Sequence, residues 1–419
     1  MELKKYKIGD LARVTRGASL GGEFYATQGN YVRLTCGNFD YRNNCFKENQ
    51  SKDNIYYTGD FKEEFLLEKG DIITPLTEQA IGLLGSTARI PESGKYIQSQ
   101  DIAKIDCNES LLDKDFAFYL ISSACVKQQL SAAAQQTKIR HTSPDKIKEC
   151  TVWIPSLDVQ KRIGRILTDI DNKIAINRQI NDNLEEQLRL ITSRYIFGSP
   201  YLEKKRIGEI ATIKAGGDCP ITFSKTRTQE YNIPIFSNGT EDRGLYGYTN
   251  KANIEGHSIT VAARGTIGYC ERRLMPFVPI IRLLAITPKE NGAYIYLHQV
   301  IRGMKFKKNG SVQQQLTVPE ISFIEIPYPH SSVLHEYNNV ASPIVEMIER
   351  NINENEILTK QRDELLPLLM NGQAMVNYHL SVLFITKIML YYKETNINFG
   401  YERNNNTKRF RWNESDSVS

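Results

Sequence analysis

The chain repeats itself, and an internal repeat limits the possible architectures more than any single motif does. Lys7-Ile8-Gly9-Asp10-Leu11-Ala12 returns 199 residues later as Arg206-Ile207-Gly208-Glu209-Ile210-Ala211, and Gly17 returns as Gly216. Gly70-Asp71-Ile72-Ile73-Thr74 with Ile81-Gly82 returns 186 residues on as Gly256-His257-Ser258-Ile259-Thr260 with Ile267-Gly268. Val152-Trp153-Ile154-Pro155 returns 172 residues on as Ile324-Glu325-Ile326-Pro327. Three echoes in one order describe a duplication whose second copy is the shorter.

Each Ile-Pro mark opens a helical pattern. In the first copy Ile163, Ile166, Ile170, Ile174, Asn177, Asn181, Leu184, Leu188 and Ile191 are spaced by threes and fours, a continuous seam. The second runs Val340, Ile344, Ile348, Asn351, Asn355, Leu358, then Arg362 where the first has Leu188, then Leu365. A lone stripe of this kind usually packs on its own domain core. Two matched stripes with matched Asn pairs look like partners, because a buried Asn is destabilising unless it pairs, and pairing fixes register. Ser156 and Asp158 suit the first helix start, and Ser342-Pro343 suits the N-cap and first turn of the straight part of the second. Gly198-Ser199-Pro200 and Pro367 with Gly372 supply the stops.

The order domain, helix, domain, helix makes the two long helices antiparallel. The expected fold is α+β: two similar domains, 1–153 and 203–325, joined by spacer helices 154–198 and 326–372 in a coiled-coil pair, related by an approximate twofold. A helix of roughly 38 residues makes a rod of about 57 Å, which spans about 17 base pairs of B-DNA. Strand candidates are 31–35, 71–74, 102–105, 233–236, 258–262 and 280–286, and helical stretches fall at 115–130 and 294–304.

The polar loops between these elements carry the candidate contacts to nucleic acid. They are Thr35-Cys36-Gly37-Asn38 and Thr77-Glu78-Gln79 in the first domain, and Asn238 to Gly244 and Ala262-Ala263-Arg264-Gly265-Thr266 in the second. A Gln-rich loop precedes each long helix, 134–141 and 307–315. Gln, Asn and Arg match adenine and guanine edges bidentately, whereas Lys and Ser or Thr suit phosphates. The candidate DNA-binding residues are Asn38, Gln79, Gln135, Gln136, Lys138, Arg140, Asn238, Arg243, Arg264, Thr266, Lys307, Lys308, Ser311 and Gln313. Charge decides little, since 53 Lys and Arg face 48 Asp and Glu, giving a pI near 8.6 that leans toward polyanions.

Several chemistries lack their motifs. There is no GxxxxGK[ST] loop, no GxGxxG after a strand, no Pro-Pro pair of the kind amino-methyltransferases use, and no HExxH. His330 and His335 read as surface or cap residues, and no metal ligand set is expected. Seven cysteines with no CxxC pair point to reduced thiols and a cytoplasmic location. The apolar run 378–392 is too short to cross a membrane. Asp145, Asp171 and Lys173 imitate a metal-nuclease pattern, but residues two apart on a helix point about 200° apart, and solvated helix charges are the better reading.

Ile154-Pro155-Ser156-Leu157-Asp158-Val159-Gln160-Lys161-Arg162-Ile163, continuing to Ile174-Ala175-Ile176-Asn177-Arg178-Gln179-Ile180-Asn181, resembles the central conserved helix of the specificity subunits of type I restriction-modification enzymes. Gln361-Arg362-Asp363-Glu364-Leu365-Leu366-Pro367-Leu368-Leu369-Met370-Asn371-Gly372-Gln373 resembles the distal helix end of that family. The resemblance covers about residues 5 to 373 and implies two target recognition domains, each reading one half of a split double-stranded DNA target. It implies helices that set half-site spacing and dock two methyltransferase subunits. S-adenosylmethionine, ATP and Mg would belong to those and to restriction (translocase) subunits, and this chain would have no catalytic residue of its own. Residues 373–419 depart from the family pattern, and their role stays open. The alternatives are a self-contained Mg-dependent nuclease and a coiled-coil adaptor for proteins only.

Overall fold

The computed structural model describes residues 2–41, 43–49, 53–78, 82–133, 140–198, 202–306, 315–370 and 372. The C-terminal segment 373–419, with its apolar run, lies outside them. The chain divides into two units, one formed by Met1–Asn172 with the chain from Leu358 on, the other by Lys173–Ile357. Two long helices, Leu157–Thr192 and Ser331–Met370, contribute a stretch to each.

In the first unit, strand Lys4–Lys7 pairs antiparallel with Thr151–Ile154, so the start of the domain closes on its end. A single helical turn, Ile8–Leu11, plunges both terminal side chains into the core. Ala12–Arg16 then pairs with Ile102–Cys107, which pairs with Ile72–Pro75, which pairs with Ala88–Arg89. Ile72–Pro75 is buried along its whole length, Thr74 included. Helices Lys114–Ile121 and Ala124–Ala133 supply Phe116, Ile121, Val126 and Leu130 to the core, which Ile163, Leu167, Leu369 and Met370 of the long helices complete.

The second unit repeats this wiring. Leu202–Arg206 pairs with Glu325–Pro329, Ile207–Ile210 makes the same buried turn, and Ala211–Ala215, Leu284–Pro288, Ser258–Val261 and Cys270–Arg273 form a four-stranded sheet in the same order. Helix Ala293–Arg302 covers it with Ile295, Leu297 and Ile301, joined by Leu188, Leu334, Tyr337, Ala341 and Val345 of the long helices. The duplication read in sequence is therefore a duplication of fold, α+β in both copies.

The long helices meet antiparallel within each unit, through polar groups set in apolar seams. In the second unit Asn177 Nδ2 donates to Asn355 Oδ1 at 2.9 Å and to Glu354 Oε2 at 2.7 Å, and Asn351 Nδ2 donates to Asn181 Oδ1 at 2.8 Å. Asn181 and Asn355 also donate to the Ile348 and Ile174 carbonyls across the pair. Among the register residues Ile163, Ile170, Ile174, Asn177, Ile348 and Leu358 are buried, and Asn181, Leu184, Ile344, Asn351 and Asn355 are half-buried. In the first unit Arg362, 6% exposed, donates to Asp171 Oδ1 at 2.9 Å, and Asp171 Oδ2 accepts from Tyr119 Oη at 2.7 Å. The arginine that interrupts the second seam is thus a buried ion-pair partner.

Local expectations differ from the structure at five places. The 115–130 helix breaks at Ser122, whose hydroxyl donates to the Phe118 and Tyr119 carbonyls in competition with the backbone ladder. The 280–286 strand starts only at Leu284, because Ile281 and Arg282 take left-handed backbone with φ of 52° and 60°. The second long helix starts at Ser331, inside the expected 326–372, but runs unbroken through Ser342-Pro343, expected to cap its straight part: Leu334 and Tyr337 are wholly buried, and that burial carries the helix through the proline. Pro367 is likewise inside the helix, which stops at Met370 with Gly372 in the left-handed region. Val340 is exposed and Val345 buried, so the core-facing stripe of the second helix starts off the expected residue.

Gly164, inside the first long helix, allows a close approach. A Cβ there would sit 2.7 Å from the Phe116 backbone nitrogen at the start of helix Lys114–Ile121.

Candidate nucleic-acid interface

Strands end in loops, and the order of strands in each sheet decides which loops become neighbours. In the second unit Ser258–Val261 runs out into Ala262-Ala263-Arg264-Gly265-Thr266, where the last three residues are exposed and Gly265 has a φ of +67°. Asn238, beyond the end of strand Ile233–Phe236, holds this loop: its Oδ1 accepts from Ala263 N at 2.8 Å and its Nδ2 donates to Ile281 O at 2.6 Å. Arg264 donates through Nε and Nη2 to Gln315 Oε1 at 3.1 and 2.7 Å, and Leu316 N donates to Ala263 O at 2.9 Å. The end of the Gln-rich loop is thereby fastened to the Arg264 loop. The left-handed pair Ile281 and Arg282 is exposed beside them.

The first unit assembles the equivalent loops. Arg140–His141 pairs antiparallel with Thr77–Glu78, placing the end of the first Gln-rich loop against those two residues. Thr142 N and Leu76 N donate to Leu76 O and Asp101 O, and the Cys36 thiol donates to Thr77 O at 3.3 Å. Glu78 Oε1 accepts from Gly82 N and Leu83 N, which holds the loop's return. In both units, then, loops that are distant in sequence converge at one edge of the fold.

Two of the expected contact residues are corrected by their burial and bonding. Asn38 is 1% exposed: its Oδ1 accepts from Thr35 N at 2.9 Å and its Nδ2 donates to Lys47 O, so it caps the Cys36–Asn38 turn and has no free edge for a base. Arg243 is turned inward by left-handed backbone at Asp242 and Arg243. Its Nη1 and Nη2 donate to Glu349 at 3.0 and 2.9 Å, and its Nε donates to Glu271 at 2.8 Å. Burial pushes the Glu271 carboxyl upward, but Arg243, the Tyr269 hydroxyl and Arg273 together hold it below the usual carboxylate range. Asn238 acts as a loop fastener, whereas Arg264 and Thr266 are exposed as expected. Arg140 lies in its two-residue strand. Gln79, Gln135, Gln136, Lys138, Lys307, Lys308, Ser311 and Gln313 lie outside the described residues.

Arg282 and His141 are exposed beside these loops and are not among the expected contacts; nothing in Ile281-Arg282 signals a left-handed backbone. His141 is exposed and its Nδ1 lies 3.3 Å from Thr77 Oγ1.

The nuclease constellation is dispersed into ion pairs. Asp145 bonds Lys148 at 2.7 Å, Asp171 bonds Arg362 and Tyr119, and Lys173 bonds Glu354 at 3.3 Å. Asp171 is therefore a partner within the helix seam and not the solvated charge its sequence position suggested. Among the described residues no group of three or more His, Cys, Asp or Glu is placed to hold a metal ion, and no helix is long and apolar enough to cross a membrane.

Comparison with known proteins matches this duplication. The family model for the type I restriction modification DNA specificity domain matches twice, at residues 1–186 and 202–366. A putative type I specificity subunit of Mycoplasma pneumoniae is 24% identical over 356 residues, covering 82% of this chain and 90% of that protein. A second from the same organism is 28% identical over 300 residues, covering 67% of this chain and 88% of that protein. The crystal structure of the type I restriction-modification S subunit from M. genitalium covers 88% of this chain and 96% of its own at a TM-score of 0.59 and 16% identity, a likeness of fold.

Proposed function

The chain belongs to the type I restriction modification DNA specificity family, with two copies of its domain, and from that premise we propose that it reads a bipartite double-stranded DNA target, one half-site per recognition domain. The reading modules are 1–153 and 203–325, and the helices within 154–198 and 326–372 set the half-site spacing and dock two methyltransferase subunits. Restriction subunits join the same assembly in the cytoplasm. This chain supplies no catalytic group: S-adenosylmethionine, ATP and Mg belong to the partners, and the work of this chain is to place them on a chosen sequence. The observation that carries the reading is the convergence, in each repeated unit, of a strand-end loop with the close of a Gln-rich loop, as in the Arg264 to Gln315 bond. Exposed Arg264, Thr266 and Arg282 offer donors suited to base edges and phosphates.

The test is methylation mapping with domain exchange. Replacing residues 1–150 with the equivalent segment of another recognition subunit should change one half of the methylated motif and leave the other intact. A change in both halves, or in neither, overturns the proposal. Whole-turn insertions into the first long helix should lengthen the spacer, and an unchanged spacer would remove the helices from that role.

A further inference from the structure

Arg243, one of the two residues expected to contact DNA from the 238–244 loop, is committed elsewhere, and its partners lead to a positioning device. Strand Cys270–Arg273 lies at the edge of the second unit's sheet, so its side chains alternate between two faces. Glu271 and Arg273, on one face, hold the 238–244 loop: Glu271 Oε2 accepts from Arg243 Nε at 2.8 Å, and Arg273 Nη2 donates to the Arg243 carbonyl. Arg243 passes this hold to the second long helix through two hydrogen bonds to Glu349, at 2.9 and 3.0 Å. On the opposite face Arg272, 4% exposed, donates to Glu185 of the first long helix and lies 3.0 Å from His298 Nδ1. Glu185 also accepts from Arg302 Nη1 at 2.9 Å, at the end of helix Ala293–Arg302.

One strand is thus tied to both long helices by ion pairs in which a helix glutamate takes a module arginine, one reached through a loop arginine and one made directly. A strand held on a single face retains a hinge, whereas ties on both faces remove it. The paired, planar bonds of Arg243 to Glu349 fix direction as well as distance, and Arg272 adds a single charge-assisted bond to Glu185. We infer that Arg243–Glu349 and Arg272–Glu185 are positioning residues that fix how the second recognition module is set on the helices, and so determine spacer-length discrimination without reading bases. The inference rests on the function proposed above.

The experiment uses the full chain assembled with its methyltransferase subunits and a plasmid library whose sites differ in spacer length. With Glu349→Gln both half-site sequences should be retained, while methylation at spacers one base pair too long or too short rises about tenfold relative to the preferred spacer. Glu185→Gln carries the same expectation and decides the matter if Glu349→Gln fails to fold. Altered bases in either half-site would overturn the inference, since Arg243 would then be acting as a reader. Unchanged spacer discrimination in both variants would overturn it, and so would loss of folding in both, because the ties would then maintain the fold and not its setting. If the native chain directs no bipartite methylation at all, the function proposed above has failed instead.

Discussion

Replacing Asn177 by alanine tests the pairing of the long helices at its most committed side chain. Asn177 is 1% exposed and donates to the Glu354 carboxylate and to Asn355 Oδ1. A charge-assisted bond contributes about 2 kcal/mol and a neutral one about 1 kcal/mol. Set against them is the Asn177 carbonyl oxygen, buried without a hydrogen-bond partner, whose removal returns about 1 kcal/mol. The net expectation for Asn177→Ala is a loss of about 2 kcal/mol, or about 4–8 °C in the melting transition of a unit of this size. Ile176, the preceding residue, is half exposed and faces away, so Ile176→Ala should move the transition by no more than about 2 °C. Scanning calorimetry of both variants makes the comparison, and a double-mutant cycle with Asn355→Ala should return a coupling of about 1 kcal/mol. Equal shifts for Asn177→Ala and Ile176→Ala, or zero coupling with Asn355, would refute the antiparallel seam.

Arg362→Leu restores an apolar residue to the seam but leaves Asp171 with Tyr119 alone. Because Asp171 is 27% exposed, the expected loss is about 2 kcal/mol, below the range for a fully buried pair; a raised denaturation midpoint would contradict it. Gly164→Ala gains about 1 kcal/mol of helix propensity, but the Cβ meets the Phe116 backbone nitrogen at 2.7 Å, so a net loss of about 1–2 kcal/mol is expected in urea unfolding. Burial, with Arg272 and Arg302 nearby, holds the His298 imidazole well below its ordinary value of 6.5. The native state then binds fewer protons than the unfolded one, so stability is full above about pH 6.5 and erodes as pH falls below it. The melting temperature between pH 7 and 5 should decline more steeply in the native chain than in His298→Asn, and parallel curves would rule this out. Arg264→Ala should weaken DNA binding by the assembled complex and reduce its salt slope by about one if Arg264 meets a phosphate; unchanged affinity would take Arg264 out of the interface.

The architecture was legible because it is written in periodicities that tertiary context seldom overrides. Repeated marks such as Ile8-Gly9 and Ile207-Gly208, and seams spaced by threes and fours, become the same buried turns and the same helices in the structure. Ser342-Pro343 suggested a cap for the straight part of the second helix, and the burial of Leu334 and Tyr337 upstream keeps the helix continuous through it. The site was harder to read for a different reason. Asn38, Arg243 and Arg264 are all polar residues in loops, and composition cannot distinguish a reader from a fastener. What separates them is burial and where the partner sits: Asn38 is buried against Lys47 O, Arg243 is tied to Glu349 of the long helix, and Arg264 is exposed and bonds Gln315 of a neighbouring loop.

The long-helix charges follow the same logic. Alone, Asp171, Glu185 and Glu349 read as the solvated polar faces of amphipathic helices. In the structure Asp171 takes Arg362 of the opposing helix, whereas Glu185 and Glu349 take arginines delivered by the sheet edge and its loop. An unpaired arginine at those places would be costly to enclose, and the carboxylates are what make their burial tolerable. A recognition loop that varies freely while Arg243, Arg272 and their two glutamates stay in place would change which bases are met without changing where the module stands. Such a separation of reading from setting would allow one scaffold to carry different target sequences, and it would make the helix-facing charges, not the most exposed loop residues, the positions where substitution should disturb spacing first.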